Sequence, residues 1–162
     1  MNKKTKTIKG LIIFFMITLA LSGITAIPAE TELNILCDYI SAESATGQWL
    51  HKVYQGVMDT NIKYPFIAYG YDWLAFAHIV LTILFIGPLR DPVKNKWVIE
   101  FGMITCVLII PYAMITGHFR GIPVGWRMID CSFGIIGLIP LKITLNKIKF
   151  LEQQTEANYE AV

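Results

Sequence analysis

Apolar residues fall into four long runs separated by polar connectors. The first, Gly10–Ile27, is uncharged; the second covers Trp73–Leu89 and extends back to Pro65. The third, Trp97–Thr116, carries Glu100 as its only charge, and the fourth opens near Arg127 and runs through Leu141. It reaches Leu145 if Lys142 lifts its ammonium to the interface on its apolar stem. A helix of about 20 mostly apolar residues crosses the hydrocarbon core of a bilayer. The pattern therefore predicts an all-α, polytopic membrane protein: a four-transmembrane-helix bundle forming a single membrane domain over residues 1–162. Its spans are expected at about 10–27, 70–89, 97–116 and 126–145, with an outer loop over 28–69 and a cytoplasmic tail over 146–162. Pro88, Pro92 and Gly117 punctuate span ends, and Pro111 inside the third span should kink it.

The outer loop carries its own periodicity. Across Ser44–Asn61 the apolar Trp49, Val53, Gly56 and Val57 share one helical stripe, with His51, Lys52, Gln55 and Asp59 off it. Ser44 suits the N-cap. This predicts an extracytoplasmic amphipathic helix between spans 1 and 2, lying on the membrane surface or capping the bundle. The aromatic stretch Tyr64–Trp73 fits an interfacial belt. No internal repeat relates the two halves, which weakens an inverted-repeat transporter.

Composition sharpens this picture. Hydrophobic residues make up 54% of the chain and charged residues 16%, against about 25% charged in an ordinary soluble domain. Ten of the fourteen Lys and Arg lie in the N-terminal segment (Lys3, Lys4, Lys6, Lys9), the connector after the second span (Arg90, Lys94, Lys96) and the tail (Lys142, Lys147, Lys149). Four spans put all of these on one side. The loop between the first two spans instead holds Glu30, Glu32, Asp38, Glu43, Asp59 and Asp72 against Lys52 and Lys63. Positive charge stays inside, so a multi-pass protein of the inner (plasma) membrane with both termini cytoplasmic is expected. The first span also resembles a secretory signal peptide, but its length and the Ile-Thr-Ala junction favour an uncleaved anchor. No basic, aromatic-interleaved patch supports nucleic-acid binding.

Ionisable residues inside or at the ends of apolar spans each cost roughly 2.5–3.5 kcal/mol at a helix centre, so each needs a partner or a use. They are Asp72, His78, Glu100, His118, Arg120, Arg127 and Asp130. All but Glu100 fall in the outer half. His78 lies six residues past Asp72, about 9 Å deeper at the helical rise. The connector GHFRGIPVGWR brings two arginines and a histidine to the side that should be poor in positive charge. Its glycines and proline suggest a tight, re-entrant turn, and the planar fork of arginine suits phosphate or carboxylate. The plainer alternative pairs Arg120 and Arg127 with Asp72 and Asp130; Arg127 and Asp130 are spaced i,i+3. Arg127, Asp130, Gly134 and Gly137 share one face of the fourth span, with Cys131 beside it. Gly102, Thr105, Ile109, Tyr112 and Thr116 share a matching face of the third. Small residues allow close approach and hydroxyls bond across helices. Glu100 is expected to pair with Lys96 or Arg90.

Enzyme signatures such as GxSxG, HExxH or a phosphate-binding glycine loop are missing. Cys37, Cys106 and Cys131 have no metal-ligand spacing, and His78 is the only histidine placed inside a span. The leading expectation is a non-catalytic binding or accessory protein. Its outward-facing cavity, lined by Asp72, His78, Tyr112, His118, Arg120, Arg127 and Asp130, takes an anionic small ligand or a lipid head group. One alternative is a membrane-embedded enzyme acting on a lipid or lipid-linked phosphate at the outer leaflet. Another is a haem or metal-binding redox subunit. Membrane lipid, an anionic small molecule, a membrane-protein partner and a second copy of the chain are the partners this pattern admits. It selects no cofactor, oligomeric state or transport direction.

Overall fold

The computed structural model describes residues 3–160, with side chains from residue 5 to 154. The side chains of Lys3 and Lys4, expected among the cytoplasmic charges, lie outside the described residues, as do the last two residues of the expected tail. The helices are α1 Lys3–Ile24, α2 Ala29–Tyr39, α3 Ala45–Lys63, α4 Tyr69–Leu84, α5 Ile86–Arg90, α6 Lys96–Phe119 and α7 Val124–Glu160, with a 3₁₀ turn at Pro65–Ile67. There is no strand among the described residues. Among the described residues four segments are long and apolar enough to cross a membrane: Thr5–Ile24, Pro65–Arg90, Lys96–Phe119 and Val124–Gln154. Only 17% to 33% of each segment's most apolar window is buried within the protein. The remaining faces present Ile, Leu and Phe side chains outward, as at Phe14, Leu81, Leu108 and Ile136. A helix apolar all round belongs in a core or a bilayer, and these lack a protein core to cover them. Their length and apolar faces are those of a multi-pass membrane protein.

It divides into two compact units, one made of residues up to Ile17 with those from Leu84 onward, the other of Thr18–Ile83. The first is built on the α6–α7 hairpin. Glycines let these helices approach: a Cβ at Gly134 would collide with the Cys106 carbonyl oxygen, and one at Gly102 would lie 3.0 Å from Leu141 Cδ1. Around this seam Ile8, Ile12, Phe85, Val98, Ile99, Leu141 and Ile148 are fully buried. The Phe15 and Phe85 rings meet with centroids 4.9 Å apart. Expected cross-helix hydroxyl bonds do not form in the third-span stripe. Thr105 Oγ1 donates to Gly102 O and Thr116 Oγ1 to Tyr112 O, both within α6. The helix's own carbonyls are nearer than any acceptor on α7, the usual behaviour of helical threonine.

Two further expectations shift at the ends of the hairpin. Lys96 Nζ reaches both Glu152 carboxylate oxygens at 2.9 Å, an ion pair that crosses to α7 where spacing within α6 points to Glu100. This contact exists because α7 runs on past the apolar span, placing Glu152 beside the start of α6. The connector GHFRGIPVGWR is no re-entrant loop. Most of it is helix, and the chain reverses between Phe119 and Val124. Gly121, at φ +68°, donates its N–H to His118 O, and Ile122 N–H bonds Gly117 O at 2.9 Å. That is a Schellman end, with Pro123 preventing further helix.

In the second unit the predicted surface helix is present as α3. Ser44 Oγ accepts from Gly47 N–H at 2.9 Å and its hydroxyl donates to Ser41 O at 2.9 Å. Ser44→Ala should cost about 1 kcal/mol, seen as faster hydrogen exchange in the first turn of α3; unchanged exchange would show that the cap is idle. A second helix, α2, has no counterpart in the sequence expectation and packs antiparallel on α3. Asn61 Nδ2 donates to Glu30 Oε2 at 2.6 Å between their distant ends. Leu33, Cys37 and Ile40, at helical spacing, are half-buried at that seam. The first membrane helix also ends at Ile24, three residues before the apolar run does, where Thr25–Pro28 turn the chain.

Candidate functional site

The tight reversal after α6 brings its last two turns against the first two of α7. Tyr112 and Thr116, one turn apart on α6, come to the same cleft as Asp130 in the second turn of α7. Arg120, the C-cap of α6, and Ile122 close the end, while Ile109 and Ala113 give apolar walls. The cleft measures about 240 Å³. Three of the seven residues expected at a site, Tyr112, Arg120 and Asp130, line it. A guanidinium at a helix C-terminus also complements the partial negative charge of the last carbonyls.

Arg127 stands next to this cleft, held in a different way from that expected. It does not pair with Asp130. Its aliphatic stem lies across Gly117 of α6, where an added Cβ would lie 2.6 Å from Arg127 Cγ. Nη1 donates a long bond of 3.4 Å to Met114 O, and Nε is buried without an acceptor. The glycine gives room for the stem, and burying those methylenes outweighs the weak surface pairing that i,i+3 spacing offers. Arg120, Arg127 and Asp130 are thus all without ion pairs; among the described residues ion pairs join Lys94 to Asp91 and Lys96 to Glu152.

The other expected residues are placed elsewhere. His118 is exposed and its ring meets Phe119 edge-on at 5.8 Å. Asp72, exposed in the first turn of α4, and His78 belong to the second unit. His78 Nδ1 donates to Leu74 O at 2.8 Å. The same ring is backed by Gly23, where a Cβ would collide with that of His78. Among the described residues no three of His, Cys, Asp and Glu come together as metal ligands. Cys106 and Cys131 are buried thiols in the α6–α7 seam, and Cys131 Sγ approaches Ile110 O at 3.8 Å. A larger opening of about 400 Å³ follows Ile143, Asn146, Lys147 and Phe150 farther along α7. It offers one cation and no opposing charge.

Fold and site together define a helical multi-pass membrane protein with a charged cleft at one end of a helical hairpin. Comparison with known protein families, curated proteins and solved structures finds no match.

Proposed function

We propose that the chain is a non-catalytic binding or accessory protein of the inner (plasma) membrane. In this reading its α6–α7 cleft takes an anionic small ligand or a lipid head group. The observation that carries it is the pair Arg120 and Arg127 at the hairpin turn, neither with a carboxylate partner. Guanidinium groups kept at the end of an apolar span without a counter-ion are matched by phosphate, which accepts from the planar fork in two places. The distribution of Lys and Arg supports cytoplasmic termini. With that orientation the hairpin turn faces outward, and the cleft opens at the level of outer-leaflet head groups.

The test is native mass spectrometry of the full chain in mild detergent, titrated with phospholipid. The wild-type protein should retain phospholipid, and Arg120→Ala should weaken retention about tenfold, as expected for loss of one charge-assisted contact. Equal retention by both proteins would remove the cleft from consideration.

A further inference from the structure

The cleft contains an unneutralised acid as well as a cation. Arg120 and Asp130 line the same 240 Å³ space yet form no ion pair. Each is carried by a different helix of the hairpin. Arg120 is the C-cap of α6, fixed by its N–H to Thr116 O at 3.0 Å, and Asp130 is carried on α7 where Gly134 and Cys106 lock the helices together. Both side chains are exposed and neither has an ion-pair partner, so each charge is open to a guest. A simple anion gains from Arg120 but is repelled by Asp130, and a simple cation meets the reverse.

We propose that the cleft selects a zwitterionic phosphate–ammonium group of the phosphoethanolamine kind, an inference that rests on the head-group reading above. The phosphate accepts from Arg120, and the ammonium on its short arm donates to Asp130. Tyr112 lines the same cleft and supplies an aromatic ring that favours an ammonium. The Thr116 hydroxyl donates to Tyr112 O, so its free lone pairs face the guest only as acceptors, which also favours an ammonium. Asp130 is the element that disfavours head groups with a phosphate and no amine, and such repulsion is how specificity is commonly built.

The experiment follows the intrinsic tryptophan fluorescence and native mass of the full chain in detergent. The probes are dihexanoyl-phosphatidylethanolamine, dihexanoyl-phosphatidylglycerol and soluble O-phosphoethanolamine. The ethanolamine lipid should bind about tenfold tighter than the glycerol lipid. Asp130→Asn should bring the two affinities together, Asp130→Glu should keep the preference, and Arg120→Ala should weaken both lipids alike. If O-phosphoethanolamine displaces the bound lipid at similar concentration, the same chemistry is recognised from a soluble source. If the lipid holds, the source is the membrane. Two R120A-sensitive lipids of equal affinity that D130N leaves unchanged would overturn the zwitterion proposal alone. Binding of neither lipid, or binding indifferent to R120A, would overturn the head-group reading beneath it.

Discussion

Gly134→Ala should destabilise the α6–α7 hairpin by about 2–3 kcal/mol, although it adds only one methyl group to a helix. On propensity alone the change should help, because glycine costs a helix interior about 1 kcal/mol relative to alanine. The sign reverses because the new Cβ would collide with the Cys106 carbonyl oxygen. That oxygen belongs to the α6 backbone and cannot swing aside like a side chain. The helices must separate along the seam, losing the close packing that holds membrane helices together in the absence of a hydrophobic drive between them. Gly10→Ala is the matching control. It lies in α1, with nothing within 4 Å of an added Cβ, and should be neutral or stabilising by up to about 1 kcal/mol. Unfolding of the two variants in mixed micelles, followed by circular dichroism, separates the cases. A Gly134→Ala protein as stable as the wild type would show that the seam can open to admit a methyl group. Because α6 and α7 form the cleft walls, the same substitution should also lose phospholipid binding, whereas Gly10→Ala should keep it.

The seam is legible in the sequence because its signal is periodic. Gly134 and Gly137 recur on one helical face, and Gly102 lies on the matching face of the other arm, so small residues alone mark the close approach. The four apolar runs and the Ser44 cap are legible for similar reasons: span length and cap chemistry are local. The α2 helix escapes such a reading because its marks are weak. Pro28 gives no side-chain cap, and Leu33, Cys37 and Ile40 make a stripe only when α3 is present to bury it. Pairing of charges is the least legible. Spacing within one helix points Arg127 at Asp130, but Gly117 on another helix provides a better resting place for its stem. Lys96 likewise finds Glu152, 56 residues away, because α7 extends beyond the apolar span. Glycines in the connector look alike in sequence, yet they do different things. Gly121 supplies the positive φ of the helix end, Gly117 makes room for an arginine, and Gly125 faces open space. Expecting Tyr112, Arg120 and Asp130 at one end of the bundle needs only topology; bringing them around one cleft needs the Schellman turn.

Phe85→Ala should cost about 2–3 kcal/mol, the second large effect. Phe85 stands at the break between α4 and α5 and is 2% exposed. Its ring stacks at a tilt on Phe15, and its edge reaches the bare face of Gly102, with Cζ 2.9 Å from where a Cβ would be. One side chain therefore fills the space among α1, α5 and α6 on the first unit's buried side. In soluble proteins such a truncation costs about 3–5 kcal/mol, combining lost transfer from water with the cavity left behind. Here the transfer part is diminished, because the unfolded alternative in a bilayer is also apolar. The cavity part remains, since the Phe15 ring on α1 and the Gly102 backbone on α6 lose their contacts outright. Phe85→Leu should retain most of those contacts and cost less than about 1.5 kcal/mol. Measured in the same micelles, a loss for Phe85→Ala as small as that for Phe85→Leu would mean that the neighbouring helices close the gap. Gly102 makes that collapse difficult: with no side chain of its own to swing inward, only a shift of the α6 backbone can fill the space, and the Gly134–Cys106 contact one turn along the same seam resists it.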